Sequence, residues 1–203
     1  MSLSRLGFWV FAAASGVVAL VSLRFVVAPL ELVMDHMAHY LPVLPWPLYG
    51  HIVLAPLALL LAPLQLWPGL RAARPALHRW TGRTYGVAVG VAGLSSLVML
   101  PQFLGSVWAL VGFFALAVLW IGCTAMGIAQ ARLRNFVAHR HWMLRSVALT
   151  FAAVTLRVYM APLMASGWTA LETYDVTAWA SWLPNLIAVE WYLRRGSVRA
   201  LAA

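Results

Sequence analysis

The chain has 203 residues, of which 64% are hydrophobic and 9% are charged. An ordinary soluble domain is about 25% charged, so this composition excludes a water-soluble globular domain. Fourteen arginines, no lysine and five acidic residues give a formal charge of +9. The cations form short clusters between apolar stretches, which argues for membrane edges and lipid headgroups and against a nucleic-acid partner.

A membrane-spanning helix needs about 20 mostly apolar residues. Six such windows can be read, at about 7–30, 48–68, 80–101, 106–130, 141–164 and 175–193. The expected fold class is an all-α integral membrane protein, a six-transmembrane-helix bundle forming one domain over residues 1–203. The first window follows Arg5 and has the look of a signal peptide. It is too long for an h-region and lacks a small-residue cleavage site before a polar start, so an uncleaved span is expected. After it, "DHMAH" sets His36 and His39 three apart beside Asp35. With His51 these are donors suited to zinc or copper. Histidines in a polar loop are more commonly just solvated, and no metal site is assigned.

In the second window His51, Ala55, Ala58, Ala62 and Gln65 recur at helical spacing, with Pro56 and Pro63 expected to bend the helix. The third begins near Pro75 and carries His78, Gly82, Gly86 and Gly90 on one face, with Arg79 and Arg83 at its start. Small residues at every fourth position admit either another backbone or a flat ligand. The fourth holds the single cysteine, Cys123, which excludes an internal disulfide. In the fifth, Ser146, Thr150 and Arg157 follow His139 at 7, 11 and 18 residues, a single polar stripe. His141 and Arg145 fall on nearly the opposite face and are expected to snorkel to headgroups. The sixth contains Pro184, expected to bend it, and Asn185, with Glu190 one turn before Arg194 in the favoured order for a local ion pair.

Charge sidedness orients these windows. Arg5; Arg71, Arg74, Arg79 and Arg83; Arg132, Arg134 and Arg140; and Arg194, Arg195 and Arg199 all fall on one side, while the opposite segments carry Glu31, Asp35, Glu172 and Asp175. The arginine-rich side is cytoplasmic by the positive-inside rule, which places both termini there. Tryptophans 9, 46, 67, 108, 168 and 179 lie near span ends, as aromatic belts do.

The strings "YGHIVLAPLALLLAPLQLW", "LHRWTGRTYG", "HRHWMLRSVALTFAAVTLRVYMAPL" and "AWASWLPNLIAVE" occur in this order over about residues 48–193. In them the chain resembles the bacterial membrane-protein family known as domain of unknown function 2306. The resemblance picks out His51; His78 with Arg79, Gly82 and Tyr85; His139 with Trp142 and Met143; Arg157; and Trp182, Pro184 and Asn185. It implies a six-span fold but no reaction, and the expected location is a bacterial inner membrane.

Three functional readings follow. The first is a b-type haem protein moving electrons in the membrane, with a membrane redox partner or a quinone. His78 and His139 are its axial ligands at a shared inner depth, Gly82 and Gly86 leave room for the porphyrin, and Arg79 and Arg83 face the propionates. The second is a carrier or receptor for a small anionic solute or quinone, in an outer cavity lined by His51, Arg157 and Asn185. The third is a scaffold or assembly factor whose polar stripes only join helices. The sequence assigns neither a catalytic residue nor an oligomeric state.

The topology is testable directly. Reporter fusions within residues 31–47 and 165–174 are expected to read as extracytoplasmic, and a cytoplasmic signal from either segment overturns the orientation.

Overall fold

The structure is a computed structural model that describes residues 5–201, with side-chain surroundings described as far as residue 195. Every regular element among the described residues is helical. The helices are α1 (Arg5–Ser22), three short turns α2 (Arg24–Val27), α3 (Leu30–Val33) and α4 (Asp35–Ala38), then α5 (Pro45–Leu66), α6 (Pro68–Ala73) and α7 (Pro75–Met99). After a 3-10 turn at Leu100–Gln102 come α8 (Val107–Arg132), α9 (Phe136–Thr150), α10 (Ala152–Ala165), α11 (Ala170–Ala180) and α12 (Leu183–Leu201).

Five stretches are long and apolar enough to cross a membrane: Arg5–Val27, Pro45–Leu66, Pro75–Gln102, Val107–Arg132 and Phe136–Ala165. They match the first five sequence windows. Large apolar side chains stand exposed along them in helical stripes, such as Val87, Val91, Leu94 and Val98 on α7 and Val111, Phe114 and Val118 on α8. Such stripes are costly in water and are satisfied by lipid. The chain is an all-α membrane protein.

The sixth window is built differently. α11 stops at Ala180, the chain turns through Ser181 and Trp182, and α12 opens with Pro184 at its second residue. Pro184 therefore does not bend a continuous helix, as the sequence suggested. It sits in a first turn, where a missing N–H is harmless. Pro56 and Pro63 lie inside the continuous α5.

The chain divides into two compact units, Met1–Leu104 and Gly105–Ala203. In the first, α5 and α7 form an antiparallel hairpin through α6, and α1 packs on α5. Ala58, Leu59 and Ala62 on α5 and Tyr85, Ala88, Val89 and Ala92 on α7 are all fully buried. The small side chains let the two backbones approach closely. Over one end, Phe25, Leu30, Tyr40, Leu48, Ile52 and Met99 make a buried cluster, against which Met34, Met37, Leu41 and Leu44 also pack.

In the second unit, α8 and α9 form an antiparallel hairpin, α11 packs on α8 and α10, and α12 packs on α9. Gly112 of α8 is needed for the α11 contact, since a Cβ there would stand 2.9 Å from the Ala178 carbonyl oxygen. The hairpin turn is a Schellman motif: Asn135 N–H bonds Gln130 O at 3.0 Å and Arg134 N–H bonds Ala131 O at 3.1 Å. The left-handed position falls on Arg134, with φ 58°. The same motif ends α10, with Trp168 N–H on Leu163 O and Gly167 at φ 98°. Glycine takes that conformation freely, whereas an L side chain there costs about 1–2 kcal/mol.

Arg134→Gly is therefore expected to stabilise the hairpin by about 1 kcal/mol. The check is the thermal unfolding midpoint in detergent, and a lowered midpoint contradicts it.

Candidate functional site

The polar stripe on α9 turns toward α8. Trp120 donates its indole N–H to Thr150 Oγ1 at 2.8 Å, Thr124 Oγ1 pairs with Ser146 Oγ at 2.6 Å, and His139 Nδ1 lies 2.8 Å from the Gly127 carbonyl oxygen. The α8 partners advance as the α9 partners recede, which is the antiparallel register of the hairpin. Trp120, Thr124, Ser146 and Thr150 are buried. A buried polar group left unpaired costs about 1–3 kcal/mol, so the ladder fixes this hairpin's register as well as joining it.

His139 occupies the end of the ladder and is half-buried. Only an N–H can bond a carbonyl oxygen, so Nδ1 carries a proton, and in the neutral ring the lone pair is on Nε2. Nε2 makes no hydrogen bond among the described residues. Gly127 also lets Met143 pack closely: a Cβ there would lie 2.6 Å from Met143 Sδ.

Arg145 corrects an expectation. It does not reach for headgroups: its Nε and Nη2 bond the two carboxylate oxygens of Glu190 at 2.5 and 3.0 Å, and its guanidinium lies 4.8 Å from the Trp142 ring centroid. Glu190 pairs with an arginine 45 residues away on α9, with Arg194 and His141 only within electrostatic reach. Periodicity exposes only local partners one turn along a helix, so this tie between α9 and α12 left no signal in the sequence.

Asn185 joins both interrupted helices. Its amide nitrogen lies 2.9 Å from Ser181 O, where α11 ends, and 3.0 Å from Thr155 Oγ1 and 3.3 Å from Ala148 O, on either side of the α9–α10 break at Phe151. Arg157, on α10, donates to Ala153 O one turn back at 2.8 Å. Two acids of the neighbouring segment, Glu172 and Asp175, are engaged in other bonds. Glu172 completes a capping box with Thr169 at the start of α11, and those hydrogen bonds hold its carboxyl below the ordinary range. Asp175 accepts from Ser106 Oγ, and its backbone carbonyl accepts from the Trp108 indole at 3.0 Å.

In the first unit, His51 Nδ1 lies 2.7 Å from Ser96 Oγ and 3.1 Å from Ala92 O, tying α5 to α7. His78 is half-buried in the first turns of α7, with Arg79 and Arg83 exposed beside it and Arg83 stacked 5.1 Å from the Trp80 ring centroid. The space at Gly82 is taken by the Gln65 carboxamide, which bonds Thr81 Oγ1 at 2.8 Å and would stand 3.0 Å from a Cβ. At Gly90 a Cβ would meet nothing within 4 Å. His51, His78, Arg79, Gly82, Arg83 and Gly86 thus belong to one unit, and His139, Arg157 and Asn185 to the other. Among the described residues no three His, Cys, Asp or Glu side chains gather as a metal-holding group, so His36, His39 and His51 do not assemble.

The model of the family described as predicted membrane protein (DUF2306) matches residues 48–193, and the chain belongs to that family. Neither a curated protein nor a solved structure matches it.

The Arg145–Glu190 pair yields a stability test. Glu190→Gln orphans the guanidinium and is expected to cost about 2–3 kcal/mol, less than for a fully buried pair because both side chains keep some exposure. Adding Arg145→Gln should recover part of that loss. A double-mutant cycle with no coupling energy overturns the pairing.

Proposed function

We propose that this member of the family is a b-type haem-binding redox protein of the bacterial inner membrane, crossing it six times with both termini cytoplasmic. The sixth crossing is the interrupted α11–α12 segment, whose polar groups are matched by Asn185 and by the Arg145–Glu190 pair. The haem reading rests on one observation, the fixed ring of His139. A histidine that ligates a metal characteristically donates its other ring N–H to a carbonyl or carboxylate, and His139 does so to Gly127 while leaving Nε2 with its lone pair.

In the reading from sequence, His78 is a second histidine for the haem, Gly82 and Gly86 the room for the ring, and Arg79 and Arg83 the counter-charge for propionates; these lie in the first unit and His139 in the second. The occupant of the Gly82 face is the end of a flexible side chain, not backbone. A flat ring seated there would have to displace Gln65 from Thr81. Bound haem would supply one-electron transfer, with a membrane redox protein or quinone as its counterpart.

The solute-carrier reading draws less support. His51, Asn185 and Arg157 are each engaged in bonds within or between helices, which is how helix-joining polar groups behave.

The test is the reduced-minus-oxidised spectrum of detergent-purified protein from haem-replete cells. Wild type is expected to show a b-type spectrum, His139→Ala to abolish it, and His141→Ala to retain it. A colourless wild type overturns the haem reading and leaves the scaffold reading in its place.

A further inference from the structure

We propose that the joint between α9 and α12 holds the headgroup of an anionic phospholipid, with Arg194 and Arg195 binding its phosphate and His141 adding a hydrogen bond. Glu190 has a different partner from the one its own helix offers. Sequence order favours Arg194, one turn on, but both carboxylate oxygens are taken by Arg145 of α9. Those two charges cancel. Among the described residues the ion pairs are Arg145–Glu190 and His36–Asp35. Arg194 and Arg195 are exposed and left without a carboxylate at salt-bridge distance, a local excess of two positive charges.

Register brings a third group to the same level. Asn185 of α12 bonds Ala148 O of α9, and Glu190 bonds Arg145, so the two helices run antiparallel. One turn further along α12 is Arg194, and one turn back along α9 is His141. Both lie within electrostatic reach of Glu190, which sets them level on the two helices of the joint. An imidazole N–H can donate to a phosphate oxygen whether the ring is neutral or charged.

The outward face of α12 fits a lipid better than a free anion. Ile187, Trp191 and Arg195 follow at four-residue spacing, so one face passes from an aliphatic side chain through an indole to a cation over about 12 Å. Ile187 is 63% exposed and Trp191 56%. That is the order of acyl chain, glycerol and phosphate in a phospholipid. Tryptophan settles at the headgroup level, and the Arg195 guanidinium lies 3.5 Å from the Trp191 ring centroid, which holds the cation at that level. Arginine presents paired N–H donors to phosphate oxygens. The arginine count places this end of the chain in the cytoplasm, where basic sites between spanning helices suit anionic headgroups.

The site contains neither His78 nor His139, so it stands or falls apart from the haem reading. The experiment is native mass spectrometry of the detergent-purified full chain, given equal amounts of phosphatidylglycerol and phosphatidylcholine with the same acyl chains. Wild type is expected to favour phosphatidylglycerol by about 25-fold, roughly fivefold per arginine. Arg194→Gln/Arg195→Gln should fall close to parity, and because both side chains are exposed the fold is kept. Arg132→Gln/Arg134→Gln, which removes two charges from α8 and the turn after it, should keep the preference. The proposal is overturned if wild type shows no preference, if the α12 variant keeps it, or if the α8 variant loses it to the same extent. Release of the bound lipid by millimolar inorganic phosphate also overturns it, since the site would then be one for a free anion.

Discussion

The second lone pair of a helical carbonyl is the acceptor on which much of this structure depends. Inside a bilayer no water is present to solvate a polar group, so every donor must find a partner within the protein. A helix carbonyl already bonded along its own axis still offers one lone pair. Three histidines each place a ring nitrogen against such an oxygen on another element: His39 at Gln102, His51 at Ala92 and His139 at Gly127. Two of these acceptors are on small residues, which lets a ring reach a backbone that a larger side chain would cover. The third ends a 3-10 turn, where the carbonyl is open anyway.

Serine, threonine and tryptophan extend the same principle. The rungs Trp120–Thr150 and Thr124–Ser146 each join α8 to α9, while Thr124 and Thr150 also return a hydrogen bond to their own helix. Apolar packing against lipid gives little preference for one register over another, because lipid tails are as apolar as leucine. Polar rungs do give one, since sliding the helices by a residue strands several donors at once. Asn185 does for the broken helices what the rungs do for the continuous ones, bonding Ser181 at one break and the residues flanking Phe151 at the other.

What the sequence made legible follows from this physics. Span positions were legible because hydropathy over about 20 residues is a bulk property, and five of the six windows coincide with long apolar helices. The facing of His139, Ser146 and Thr150 was legible because helical angle alone sorts them onto one side. The breaks at Phe151 and at Ser181–Trp182 were not, since neither carries a glycine and the nearest proline, Pro184, lies after its break. The Arg145–Glu190 pair was not legible either: a residue on the face opposite a polar stripe looks lipid-directed until a further helix, α12, is known to pack there. The Gln65 carboxamide at Gly82 was hidden for the same reason, because pairing between helices has no period in the sequence.

The histidines show why packing and ligation are hard to separate in such a chain. Both uses begin with the same bond, one ring nitrogen donating to a carbonyl, and that bond fixes ring, tautomer and direction together. Packing requires nothing more, whereas ligation also requires that the other nitrogen reach a space that a metal ion can enter. For His51 the bonded nitrogen also has Ser96 beside it, so two α7 groups hold the ring, as a helix joint demands. For His139 a single carbonyl holds the ring at the half-buried end of the ladder, where the next position along α9 is already exposed. The same kind of bond thus fixes the His51 ring with two groups of α7 and the His139 ring with one group of α8.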